Sequence, residues 1–144
     1  MPTTVMIIDD DRVMTKILTS MIREMKEDIQ LIVAHDCLDA LNKLETMKTG
    51  RLFKKRQFPD IAVVDARLPV LDGFQCTERL SEMGAKNICI MTAHLDPDLV
   101  PRAISAGADT VFKKSLGLAS IARAVVAMAE AIETEKEEAL SSKK

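Results

Sequence analysis

Four aspartates stand where a short apolar run gives way to polar chain: Asp9, Asp10 and Asp11 after Val5-Met6-Ile7-Ile8, and Asp65 after Ile61-Ala62-Val63-Val64. Carboxylates so placed emerge at the carboxyl edge of a sheet, where open α/β folds bind ligands. Hard oxygen donors gathered there suit Mg²⁺, which takes a few carboxylates and keeps several waters. Without a cation their like charges repel. Thr92 ends a third apolar run, Ile88-Cys89-Ile90-Met91, and Lys113-Lys114 end a shorter one, Thr110-Val111-Phe112. An oxygen nucleophile, a cation site, a hydroxyl and an ammonium are the groups that phosphoryl transfer to a carboxylate requires.

The elements that must deliver these groups are legible as apolar runs alternating with helical periods, the pattern of βαβ units around a parallel sheet. The runs predict strands over residues 5–8, 29–34, 61–64, 88–91 and 110–112. Between them, Val13, Ile17, Met21 and Ile22, flanked by Leu18 and Met25, form a stripe for a first helix over 11–25. Leu38, Leu41 and Leu44 mark a second through 47, with Gly50 as its C-terminal cap. Further helices are expected over 73–83 and 97–105. Leu118, Ile121, Val125, Met128 and Ile132 predict a long last one, and the charged tail 133–144 is expected to fray.

With 144 residues the chain has the length of one domain and shows no repeat. Only four Phe and no Trp or Tyr are present, so the core must be aliphatic and base-stacking platforms are not expected. A net charge of −2 gives no global attraction to nucleic acid or anionic membranes. Cys37, Cys76 and Cys89 are odd in number and widely spaced, which argues against a disulfide framework or a zinc site and for thiols in a reducing cytosol. No run approaches the ~20 apolar residues of a membrane span and no secretory leader is visible, so a soluble, cytoplasmic protein is expected. His35 reads as a loop residue, and Asp72-Gly73 as a turn that starts the third helix. The basic segment 48–56, with Lys54-Lys55-Arg56, reads as a helix end and loop, or as a docking site for an acidic partner.

Five ordered landmarks together resemble the receiver domain of two-component response regulators, of the single-domain chemotaxis type. They are Ile7-Ile8-Asp9-Asp10-Asp11; Pro59-Asp60 through Asp65, with Leu68-Pro69 and Leu71-Asp72-Gly73; Met91-Thr92-Ala93; Ala106-Gly107-Ala108-Asp109; and Lys114. The resemblance implies a flavodoxin-like (βα)5 domain over 1–132, with parallel strand order 2-1-3-4-5 and a charged helical extension or tail over 133–144. It implies Asp65 as phosphoacceptor, Asp9, Asp10, Asp65 and the Arg67 carbonyl as ligands of Mg²⁺ or Mn²⁺, Thr92 as switch hydroxyl and Lys114 as the lysine that pairs with the phosphoryl group. The donor would be a sensor histidine kinase or a histidine phosphotransfer protein. Output would be contact with a target protein or homodimerisation through the fourth helix, fifth strand and fifth helix, with neither DNA nor membrane bound directly. Catalysis would be limited to the protein's own phosphorylation and dephosphorylation. Arg67 and His94 fall at the positions that flank the site and are expected to shield an acyl phosphate from water.

The chain departs from the family where Ser115 replaces the usual proline after the lysine and where Val111 occupies the aromatic switch position. Phe112 falls on the opposite strand face. Two other readings compete. One is a pseudo-receiver kept only for interaction. The other is a haloacid-dehalogenase-type phosphatase with Asp9 as nucleophile and Asp11 as general acid.

Overall fold

The computed structural model describes residues 2–49 and 58–142. Gly50 and most of the basic segment 48–56 lie outside the described residues. Five parallel strands, β1 (Thr4–Ile8), β2 (Gln30–Ala34), β3 (Ile61–Asp65), β4 (Ile88–Thr92) and β5 (Thr110–Lys113), lie in the order β2-β1-β3-β4-β5. The helices are α1 (Arg12–Met25), α2 (Cys37–Thr49), α3 (Gly73–Glu82), α4 (Leu99–Ala106) and α5 (Leu118–Ser142). This is the flavodoxin-like doubly wound architecture. The order changes direction at β1 and β3, which opens a crevice at their carboxyl ends.

Side-chain alternation along the strands divides the core. Val5, Ile7, Ile61, Val63, Cys89 and Met91 face α1 and α5, with Phe112 packed beside them. Met6, Ile8, Ala62, Val64 and Ile88 face α2 and α3. Ile90 packs with Leu99 and Ala103 of α4, and Val111 lies against them. The central strands are buried on both faces, which is why they read as unbroken apolar runs.

Several expectations need correction. The buried face of α1 is Thr15, Leu18, Thr19 and Ile22, whereas Val13 and Ile17 of the expected stripe are exposed. The start of α1 is fixed by Asp11, whose Oδ1 accepts from the backbone N–H groups of Val13 and Met14, and Thr15 and Thr19 can be buried because their hydroxyls donate to the Arg12 and Lys16 carbonyls, each at 3.0 Å. The helix over the tail does not fray at residue 133 but runs to Ser142. Glu133 meets Lys26 at 2.9 Å and Lys136 meets Asp60 at 3.0 Å, so the extension is tied to α1 and to the chain entering β3. Cys37 and Cys76 are not separate thiols; they are joined in a disulfide. The doubly wound path lays α2 and α3 side by side on one face of the sheet, which brings together cysteines that are 39 residues apart in the chain.

Candidate functional site

Register decides what meets at the carboxyl edge. Ile8 pairs with Ala34 on one side and with Val64 on the other, so Asp9, His35 and Asp65 leave their strands side by side. Asp9 continues the phase of Val5 and Ile7, and Asp65 that of Ile61 and Val63, toward the α1 and α5 face. Thr92 continues the phase of Ile88 and Ile90, toward α4. A carboxylate oxygen from each of Asp9, Asp10 and Asp65 lies within 4.8 Å of the others. Among the described residues these three form the one such group of metal-ligating side chains.

The acidic pair is held by backbone and lysine. Asp9 Oδ1 accepts from the Asp11 N–H at 2.9 Å, and Asp65 Oδ1 accepts from the Arg67 N–H at 3.2 Å. Lys114 Nζ stands 3.2 Å from Asp65 Oδ1 and 3.7 Å from Asp9 Oδ2. Lys113, the neighbouring alternative, is exposed at the end of β5. After Lys114 the chain makes a single 3-10 turn over Lys114–Leu116, closed by the Gly117 N–H on the Lys114 carbonyl at 3.0 Å, so the turn forms with Ser115 in place of proline. Asp9 is 1% exposed, and its carboxyl is pushed up from 3.8 to about 6. Burial is the largest cause. The charge and hydrogen bond of Asp65 add to it, while the Asp11 N–H and Lys114 oppose it. A dication among these oxygens would relieve that repulsion, so the donor set fits Mg²⁺.

Thr92 is at the site but occupied elsewhere. Its hydroxyl donates to the His94 carbonyl at 2.8 Å and accepts from the His94 N–H at 3.2 Å. A cleft of about 370 Å³ opens beside it, lined in part by Arg67, His94, Asp72, Phe74 and Arg102. Arg102 of α4 lies over the Phe74 ring at 4.2 Å and 3.7 Å from Asp72 Oδ2, which ties α4 to the start of α3. Asp72 caps α3 in a reciprocal box with Gln75, as its turn-forming context suggested. Gly73 does more than turn the chain. A Cβ at that position would strike the Asp65 carbonyl and the Ala66 Cα, so only glycine lets α3 press against the acceptor strand.

Two positions escaped the sequence reading. His35, read as a loop residue, lies with Nδ1 3.0 Å from the Asp9 carbonyl and so steadies the acidic turn. Its place beside Asp9 follows from the order β2-β1, once that order is known. Val70, in the loop after Asp65, has φ +68° and sits at the centre of a γ-turn, with the Leu71 N–H donating to the Pro69 carbonyl at 2.8 Å. Nothing in its residue type signals that conformation.

A doubly wound sheet with a carboxylate cluster, a lysine and a hydroxyl at its carboxyl edge defines a class of α/β domains with an acidic crevice. The sequence model of the response regulator receiver domain matches residues 5–126, and the chain belongs to that family. It is 30% identical over 121 residues to protein-glutamate methylesterase/protein-glutamine glutaminase 1 of Methanospirillum hungatei, a match that takes in 81% of this chain and 32% of that protein. A methylesterase/glutaminase of Natronomonas pharaonis is matched over 30% of its length, so the chain spans about a third of these relatives. Among solved structures, the signal receiver domain of a DNA-binding response regulator from Colwellia psychrerythraea superposes with a TM-score of 0.72 at 25% identity, covering 89% of this chain and 98% of that one. A CheY-like receiver domain protein from Methanospirillum hungatei has the same fold, with a TM-score of 0.73 at 17% identity and coverage of 94% and 99%.

Proposed function

We propose that this receiver accepts a phosphoryl group on Asp65 from a phosphohistidine of a sensor kinase or phosphotransfer protein, in a reaction that needs Mg²⁺ or Mn²⁺. The observation that carries the reading is the convergence of Asp9, Asp10 and Asp65 within 4.8 Å, with Lys114 Nζ 3.2 Å from Asp65. An Asp65 carboxylate oxygen forms the new O–P bond as the P–N bond to imidazole breaks, and the electron pair of that bond stays on the imidazole. Asp9, Asp10, Asp65 and the Arg67 carbonyl would hold the cation, which when bound neutralises charge on the transferring group. Lys114 pairs with the phosphoryl oxygens. Thr92 supplies its hydroxyl to them by leaving the His94 carbonyl, and that exchange is the local event that α4 senses.

Arg67 and His94, both lining the cleft beside Thr92, shield the acyl phosphate from water. Val13, Leu38, Val70, Leu95 and Leu116 are exposed aliphatic residues on the helix starts and loops of the carboxyl edge, and a rim of this kind suits a protein donor rather than a small one. Val100 and Ile104, exposed on α4, leave that helix free to meet a target or a second copy. The receiver occupies 1–132 and a charged extension 133–144. It works in the cytoplasm, binds neither DNA nor membrane itself, and has no catalysis beyond its own phosphorylation and dephosphorylation. Among the described residues no helix is long and apolar enough to cross a membrane.

Phosphotransfer from a panel of radiolabelled histidine kinases tests this. Wild type should take up label from a kinase and Asp65→Asn should not. The Arg67→Asn/His94→Glu double variant should take up label and lose it faster. Label retained on Asp65→Asn would overturn the acceptor assignment, and an unchanged decay rate would overturn the shield.

A further inference from the structure

The Cys37–Cys76 disulfide joins the first turn of α2 to the early part of α3, with Cα atoms 5.6 Å apart and the residues 1% and 0% exposed. Each end lies a few residues from one wall of the acidic site. Two residues before Cys37, His35 Nδ1 meets the Asp9 carbonyl at 3.0 Å. Three residues before Cys76, the Gly73 N–H donates to the Ala66 carbonyl at 3.0 Å, and Gly73 is packed against the Asp65 carbonyl. Beneath the site, Ile8 and Val64 pair across β1 and β3. The bond therefore closes a frame that runs from Asp9 through His35 and Cys37 to Cys76, Gly73 and Asp65, and back through the sheet.

We propose that Cys37 and Cys76 form a reversible redox site that sets how firmly the acidic site holds a divalent cation. As a disulfide the pair fixes the two walls. As two thiols it leaves them joined by the sheet and by ordinary packing, and the carboxylates must be ordered again when a cation binds. This effect rests on the cation reading given above, whereas the covalent bond stands without it.

The chemistry is thiol–disulfide exchange. The thiolate of one cysteine attacks a low-molecular-weight disulfide and expels one thiol, which leaves a mixed disulfide. The second cysteine attacks the protein sulfur of that intermediate and expels the other thiol. Two electrons and two protons pass from the cysteine pair to the expelled thiols, and a dithiol reductant reverses both steps. Neither sulfur is open to solvent, so exchange proceeds through local opening of α2 over α3, where a groove lined by Leu41, Asn42, Glu45, Arg79 and Met83 already parts the helices. Cys89, buried and unpaired, lacks a partner for this reaction and serves as an internal reference.

The test compares the 144-residue chain equilibrated with oxidised glutathione and with dithiothreitol. After alkylation in denaturant and peptide mass mapping, the oxidised form should carry label on Cys89 alone and the reduced form on all three cysteines. Calorimetric titration with Mg²⁺ should show an affinity roughly fivefold lower for the reduced form, the size of an ordinary coupling between sites. Cys37→Ala/Cys76→Ala, with its fold checked by circular dichroism, should match the reduced form under both conditions. Labelling of Cys37 and Cys76 after oxidation, or equal Mg²⁺ affinity in the two forms, would overturn the proposal. Absence of Mg²⁺ binding in both forms would overturn it together with the cation reading, whereas equal binding overturns the redox link alone.

Discussion

At the scale of single residues, Asp9 sets burial against charge. Its carboxyl titrates near 6 in the fold against 3.8 when free, so the native state binds the proton more tightly than the unfolded chain does. That preference stabilises the metal-free fold below about pH 4 and is lost as pH rises through 6. A shift of about two units corresponds to about 3 kcal/mol. Asp9→Asn, measured by denaturant unfolding at pH 7.5 with a chelator present, should therefore be more stable than wild type by about 2–3 kcal/mol, and it should no longer gain stability from Mg²⁺. Wild type in chelator should lose stability from pH 4 to pH 7. The site's main members were legible because strand alternation is strict: an aspartate that follows an apolar run in phase must reach the sheet edge. His35 was not legible as a partner, because its contact depends on which strands are neighbours. The Thr92 hydroxyl's turn toward His94 depends on loop geometry that no spacing encodes.

At the scale of elements, the loop between β3 and α3 holds two backbone positions with opposite demands. Gly73 tolerates no side chain, since a Cβ would meet backbone atoms of Asp65 and Ala66 rather than a movable side chain. Val70 carries a β-branched side chain, 84% exposed, at φ +68°, where such a residue is a steric outlier. Gly73→Ala should thus destabilise the domain by about 3 kcal/mol, at the upper end for overpacking, while Val70→Gly should stabilise it by about 1 kcal/mol through relief of the left-handed conformation. Thermal unfolding of the two variants checks both signs. Strands were readable to within a residue or two because burial on both faces leaves unbroken apolar runs. Helix faces were less so: Leu18 and Ile22, not Val13 and Ile17, meet the sheet, because Thr15 and Thr19 share that face with their hydroxyls satisfied inside the helix. The disulfide lay beyond reach of the cysteine count, since it depends on α2 and α3 sharing one face. Closure of its 39-residue span is worth about 4 kcal/mol on the chain-entropy account.

At the scale of the whole molecule, the fold gathers groups from four strand ends into one crevice and leaves aliphatic side chains around its mouth. The same helix that begins beside the site, α5, ends at Ser142, fastened by Lys136 to Asp60 before β3, at the opposite edge of the sheet. That fastening was not legible, because Lys136 and Asp60 are 76 residues apart. The family and the sheet order were legible, since five landmarks in a fixed order constrain topology far more than any one of them. On the α4 side, Val111 packs under α4, and Arg102 holds α4 to Asp72 and Phe74. The central claim is tested most directly by intact mass and peptide mapping after incubation with acetyl phosphate. The account predicts one added phosphoryl group, located on Asp65, formed with Mg²⁺ and absent with chelator or in Asp65→Asn. A phosphoryl group on Asp9, or its formation on Asp65 without a divalent cation, would contradict it.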